Sequence, residues 1–399
     1  MTPDQLAQKP EISQHGPPVR AGFLAPGNPN SLRTWSGLPY FMFDALAHHF
    51  GSLTPLTPVS DPWIRAANLW SSLTTRVTGI RRPPYLNPLL VQASRARLRA
   101  LLAADEPDVV IATAASTLLT AVPRHIPVIY CTDATFRIMQ GYYEKFTGLP
   151  DDIVRRAERF EQEAITRADA IVYSSEWAAV SAVRDYGADP AKITILPFGA
   201  SLVNPPAAPV PVPSLDGALR FFLLGVDWHR KGADGAFEAV SELNRRGQPA
   251  HLTIAGCVPP PGVALPDWVE NIPHLSKANP ADVARMEQLY RTAHFFLMPS
   301  RAECSAVVFG EAAAFGLPVI AMNTGGLAAV VTDGETGALL PAGSSPADYA
   351  DRISAILADP AGYSTMRAAS RARYENVLNW DAWAKQIASI AGGLTANAL

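Results

Sequence analysis

Two carboxylates, Glu303 and Glu311, close off the stretch "ECSAVVFGE", with small and apolar residues between them that suit burial. Acids so placed can be an acid/base pair, two ligands of one polyhydroxylated molecule, or a helix cap beside a surface charge. Ser305 is expected to cap a helix from about Ala306 to Phe315, ended by Gly316, with Pro318 beyond it. At ~1.5 Å of rise per residue the two acids then lie roughly 10 Å apart, too far to share a proton. A carboxylate accepts two hydrogen bonds from a vicinal diol, so Glu311 fits a ribose and Glu303 fits hydroxyls at the other end of a ligand. Between them, the small side chains of Ser305 and Ala306 leave helix N-terminal N–H groups open to a phosphate. The matching ligand is nucleoside, diphosphate and sugar in a row.

A second group points the same way. "LLGVDWHRKG" places Arg230 and Lys231 at a turn between an apolar strand and a helix, where two cations suit a diphosphate. The plainer alternative is a pair of solvated loop charges.

These residues need a scaffold, and the chain of 399 residues is too long for one core. Apolar runs "VRAGFLAP", "DVVIATA", "PVIYCTDA" and "AIVYSS" alternate with helical patterns such as "LPYFMFDALAHHF" and "RRAERFEQEAITRAD". After residues 202–217, which hold five prolines, the alternation restarts with "LRFFLLGV", "AHLTIAGC", "HFFLMPS" and "VIAM". Strand and helix alternating in this way predict α/β architecture, two doubly wound parallel sheets facing across a cleft. The expected layout is a loose tail over 1–18, a first domain over 19–201, a proline-rich spacer over 202–217, a second domain over 218–378 and a terminal helix over 379–399. Ligands bind such folds at the carboxyl ends of the strands. The GxGxxG dinucleotide fingerprint is absent from both halves, which weakens a dehydrogenase reading.

On these residues the chain resembles retaining GT-B glycosyltransferases of family 4 (glycosyl transferases group 1), the large family with sucrose synthases and bacterial mannosyltransferases. "RAECSAVVFGEAAAFGLPVIAMNTGG" is similar to their two-glutamate motif, "GVDWHRKG" to their phosphate-binding turn, and "TWSGLPYFM" to the glycine turn near the acceptor. The resemblance implies two Rossmann-like domains, with the C-terminal helix docking back on the first. It implies that Lys231, helped by Arg230, binds the donor diphosphate and that Glu303 contacts the donor sugar. Gly225, Ser276, Ser305, Ala306, Val307 and Glu311 would complete the donor site, and Trp35 and Gly37 would face the acceptor. The chain departs from the family at Val226, where an Arg is usual, and at Ala329, where many members have Glu. It carries Thr132 and Asp133 where many members place a His, so Asp133 is the candidate for orienting or deprotonating the acceptor hydroxyl. A metal-independent transfer with retained configuration is expected, with a nucleotide-sugar donor, a hydroxyl acceptor and no cofactor. A sugar-nucleotide 2-epimerase and a non-catalytic sugar-nucleotide-binding subunit are the alternatives.

The remaining features are weaker. Formal charge is −3, which gives no global field for nucleic acid or membrane. Between Pro62 and Ala104 there are seven arginines and no acid; with Trp63 and Trp70 this stretch can meet an anionic acceptor or membrane, or be a solvated helix and loop. Cys131, Cys257 and Cys304 are far apart and lack zinc spacing, Cys304 reading as a small filler. The expected location is the cytoplasm, with peripheral contact at the inner face of the membrane as the variant.

Overall fold

The computed structural model describes residues 19–32, 34–58 and 61–396. The expected tail and the last three residues of the terminal helix lie outside them. The first six strands are β1 (Arg20–Leu24), β2 (Ser52–Leu56), β3 (Val109–Thr113), β4 (Val128–Thr132), β5 (Ala170–Tyr173) and β6 (Ile193–Ile195). They form one parallel sheet in the order β2-β1-β3-β4-β5-β6. The second half supplies β7 (Leu219–Leu224), β8 (Ala250–Ala255), β9 (Val269–Ile272), β10 (Phe295–Met298), β11 (Val319–Met322) and β12 (Gly337–Leu340). Their order is β12-β11-β10-β7-β8-β9, again parallel throughout.

Helices cover both faces. In the first half these are α1 (Leu38–Ala47), α2 (Asp61–Thr78), α3 (Pro88–Ala104), α4 (Phe136–Met139), α5 (Asp151–Arg167) and α6 (Glu176–Tyr186). In the second they are α7 (Ala233–Arg245), α8 (Pro280–Thr292), α9 (Val307–Ala314), α10 (Pro346–Leu357), α11 (Pro360–Asn376) and α12 (Trp380–Ala396). Local chemistry sets several starts: the Asn87, Ser175 and Asn279 side chains accept from the first-turn N–H groups of α3, α6 and α8, and Ser345 forms a capping box with Asp348 at α10.

β3, β4, β5 and β10 are buried at every position, because helices on both faces leave no solvent side. In α1 the buried face carries Leu38, Phe41, Met42, Ala45 and Leu46, recurring at helical spacing. The terminal helix α12 docks back on the first half: Trp383, Ala384 and Ile387 share a core with Phe23, Met42 and Ile111. Among the described residues no helix is long and apolar enough to cross a membrane.

Each sheet has a place where strand order reverses. In the second, the chain runs β7 to β9 outward and returns to add β10 on the other side of β7. In the first, β3 returns to the side of β1 opposite β2. Loops leaving such a pair of strands diverge and open a crevice at their carboxyl ends. The two crevices form one cavity of about 720 Å³, into which the loops after β1, β3, β4 and β10 all project.

Candidate active site

In the second half, the residues come from the β7 and β10 loops, the strands flanking the reversal. The loop after β10 is pinned to that after β7: Arg301 N–H donates to Arg230 O at 2.8 Å, and the Arg301 guanidinium holds Asp234. Glu303, 4 % exposed, follows at once. Its Oε1 accepts from the Lys231 ammonium and, at 3.0 Å, from Arg230 Nη1. An added Cβ at Gly225 would lie 2.6 Å from Lys231 Cγ, so the glycine leaves room for the lysine stem. The backbone of Glu303 and Cys304 is packed equally closely by the glycine pair that follows β11: a Cβ at Gly325 would meet Glu303 O at 1.9 Å, and one at Gly326 would meet Cys304 O at 2.0 Å.

Glu311 lies inside α9, 1 % exposed, with Oε1 accepting from Lys277 Nζ at 2.5 Å and Oε2 from Tyr290 Oη at 3.0 Å. Each oxygen keeps a second lone pair that a ligand hydroxyl can use. The start of α9 differs from expectation. Its N-cap is Ala306, with no side-chain cap, so Ser305 does not cap the helix. The N–H groups of Ser305 and Ala306 have no protein acceptor among the described residues, whereas that of Val307 donates to Ser305 O.

The first half reaches across. Tyr142 Oη accepts from Glu303 N–H at 2.9 Å and lies 2.9 Å from Thr324 Oγ1; Tyr143 Oη accepts from Cys304 N–H at 3.2 Å. The Arg230 guanidinium stands over the Tyr143 ring, 5.4 Å from its centre. Asp133, directly after β4, lines the same cavity. Burial pushes its carboxyl up to about 6, the Glu303 charge adding to the shift and Lys145 opposing it.

Residues 219–359 match the family model for glycosyl transferases group 1, and residues 54–202 match that for glycosyltransferase family 4. The chain belongs to the family 4, group 1 glycosyltransferases. Among curated relatives, the D-inositol 3-phosphate glycosyltransferase of Corynebacterium efficiens is 28 % identical over 66 % of this chain and 65 % of its own. That of Nocardia farcinica is 33 % identical over 50 % of this chain and 47 % of its own. The chain thus spans about half to two thirds of the length of these relatives, 47 % and 65 %. Sucrose-phosphate synthase from Thermosynechococcus elongatus shares the fold with a TM-score of 0.68 at 19 % identity, over 95 % of this chain and 100 % of that one. Anabaena Alr3699/HepE, solved in complex with UDP-glucose, has a TM-score of 0.60 at 13 % identity, over 94 % and 100 %.

In this member of the family, Trp35, Asp133, Arg230, Lys231, Glu303, Ser305, Ala306, Val307 and Glu311 line one cavity. Three expected residues do not reach it. Gly225 acts through Lys231, as above. Gly37 sits behind the wall at the N-cap of α1, and Ser276 turns into its own loop, its N–H donating to Asp282 and its Oγ accepting from Ala278 N–H. The neighbour of Ser276, Lys277, is the residue that reaches Glu311; no motif marked it, although it is the only lysine between Lys231 and Lys385. Val226 is 83 % exposed, while Arg230 occupies the cleft. Trp35 holds its place with φ +43°, a costly conformation for a bulky residue. Cys304 is buried, and burial pushes its thiol up, away from reactivity.

Proposed function

We propose that this chain transfers a sugar from a nucleoside diphosphate sugar to a hydroxyl acceptor with retention of configuration. The observation that carries this reading is the cluster of Lys231, Arg230 and Glu303 beside the open N–H groups at the start of α9, in a cavity shared with Asp133. A diphosphate entering the cleft would draw Lys231 and Arg230 from Glu303, freeing that carboxylate for sugar hydroxyls. As the sugar–phosphate bond ionises, the two cations and the helix N-terminus would stabilise the departing charge without a metal ion. The acceptor would attack from the face the diphosphate leaves, with Asp133 taking its proton. Glu311, steadied by Lys277 and Tyr290, would hold the ribose.

A hexose on uridine diphosphate is the first donor to try, because the HepE neighbour was solved with UDP-glucose. The epimerase alternative loses ground: among the described residues, no histidine lines the cavity. Finer still, α2 turns Trp63, Leu69, Trp70, Leu73 and Val77 to solvent while Trp63, Ala67 and Asn68 line the cavity. That helix would rest on an anionic membrane surface at the cytoplasmic face and bring the acceptor site to it.

The test is a panel of UDP-, GDP- and ADP-glucose, read by thermal shift and by donor hydrolysis. One nucleotide sugar should stabilise the protein and be slowly hydrolysed, and Lys231→Ala should weaken hydrolysis by about a hundredfold. No shift with any donor sugar sinks the transferase reading; binding without turnover would make the chain a non-catalytic subunit.

A further inference from the structure

Beyond Asp133 the cavity extends over the face of the first sheet covered by α3 and α5, and the donor chemistry uses nothing there. Its walls are mostly apolar, built by Leu86, Val91, Leu118, Phe136, Met139 and Phe146, with Ser94 and Thr117 between them. At its floor lie two polar side chains, Glu161 of α5, 5 % exposed, and Tyr130 of β4, 2 % exposed. Tyr130 Oη donates to Glu161 Oε1 at 3.3 Å, and the Ser116 hydroxyl bonds with both. A carboxyl placed on a buried helix face without a cationic partner has no evident structural task, since an apolar residue would pack there at lower cost.

The charges around this lobe are lopsided. Of the cavity's cations among the described residues, Arg230 and Lys231 bond Glu303 and Lys277 bonds Glu311, all at the donor end. Lys145 alone stands on the acceptor side, over the Phe146 ring at 4.9 Å from its centre. Against it are two acids, Asp133 and Glu161. Among the described residues, no pair of donors is set for the bidentate grip a phosphate wants. Burial pushes Glu161 up to about 8, so at neutral pH the group keeps its proton and can both donate to and accept from a hydroxyl.

We propose that this lobe is the acceptor pocket, that it takes an uncharged molecule with an apolar body and hydroxyl groups, and that Glu161 with Tyr130 determines this specificity. The apolar walls bury the body, the floor bonds one hydroxyl, and a second hydroxyl is left facing Asp133 and the donor sugar. A phosphomonoester would have to lose its hydration against apolar walls beside two acids. The inference rests on the transferase reading for its meaning, but the lobe can be probed without a donor.

The probes are n-octyl β-D-glucopyranoside below its micelle concentration and myo-inositol 3-phosphate. Binding is measured first by calorimetry with no donor, then transfer with the donor sugar selected above. Octyl glucoside should bind the wild type and inositol phosphate should not. Glu161→Leu should raise the octyl glucoside Kd and KM about tenfold. Glu161→Gln should stay within about threefold of wild type, because an amide also donates and accepts. Tyr130→Phe gives a second reading if the leucine variant does not fold, and should raise the Kd about fivefold. Tighter binding of the inositol phosphate, or an unchanged octyl glucoside Kd in folded Glu161→Leu or Tyr130→Phe, overturns the proposal. Octyl glucoside binding with no donor binding at all would sink the transferase reading and leave the lobe's specificity standing.

Discussion

Tyr142 holds the backbone of Glu303 across the cleft, its phenol accepting from Glu303 N–H at 2.9 Å and lying 3.2 Å from Glu303 O. One residue from the first half thereby fixes the loop on which the second half carries its buried acid. Tyr142→Phe keeps the ring against Trp177, 5.1 Å between centres, and removes only the hydroxyl. The Glu303 N–H is then left without its acceptor, and the carboxylate loses its fixed height above Lys231. The expected outcome is a donor KM raised about tenfold with circular dichroism unchanged. A KM equal to wild type would mean that Tyr143, Arg301 and the close packing at Gly325 and Gly326 place Glu303 without Tyr142.

The acceptor side has a separate pH signature. With its carboxyl near 6, Asp133 is ionised above that pH and protonated below it. A base must be ionised to take a proton, so transfer should fall as pH drops through about 6 while donor binding stays flat. The charged groups that set this value are Glu303, which raises it, and Lys145, which lowers it. Asp133→Asn should cut transfer by about a hundredfold and erase the acid limb, leaving donor hydrolysis measurable. A variant that keeps the limb would assign it to another group.

How much of this was legible in the sequence follows from where each element sits. The strands read as apolar runs, β1, β3, β4, β5, β7, β8, β10 and β11, are the inner strands of the two sheets. The four left unread, β2, β6, β9 and β12, are the four edges. An edge strand has one neighbour and open flanks, so its sequence need not be continuously apolar: β2 carries Pro55, and β6 is only half-buried. The site followed the same division. Glu303, Glu311 and Lys231 stand in local patterns that imply their neighbours. Lys277 meets Glu311 only because the loop between β9 and α8 folds over α9, and Glu161 meets Tyr130 only through the packing of α5 on β4, so no spacing could announce either. The helix start at Ser305 misled because a free, uncapped N-terminus and a capped one share the same small residues.

Exposed apolar groups on α2 make a further prediction. Leu69, Trp70, Leu73 and Val77 recur at helical spacing and all face solvent, with Arg76, Arg81 and Arg82 nearby. A stripe of this kind beside basic residues binds an interface through apolar insertion and attraction to anionic headgroups. The chain should sediment with phosphatidylglycerol vesicles and much less with phosphatidylcholine vesicles, and salt should weaken the difference. Trp70→Glu with Leu73→Glu should abolish sedimentation and leave donor hydrolysis unchanged. Failure of the wild type to sediment would assign this face to another partner.

Glu161 also links the acceptor lobe to stability. Its carboxyl titrates near 8 in the folded chain, raised by burial from an ordinary value of 4.5. Between these pH values the folded chain binds a proton that the unfolded chain has released. Stability therefore falls as pH rises from about 4.5 to about 8, and the penalty is fully present above 8. At pH 7 it is on the order of 3 kcal/mol. Glu161→Gln has no proton to lose, so its melting temperature should match wild type near pH 4.5 and exceed it by several degrees at pH 8. Parallel melting profiles across that range would show that the carboxyl is solvated and ionised, and would remove the neutral donor on which the pocket's preference for uncharged hydroxyls depends.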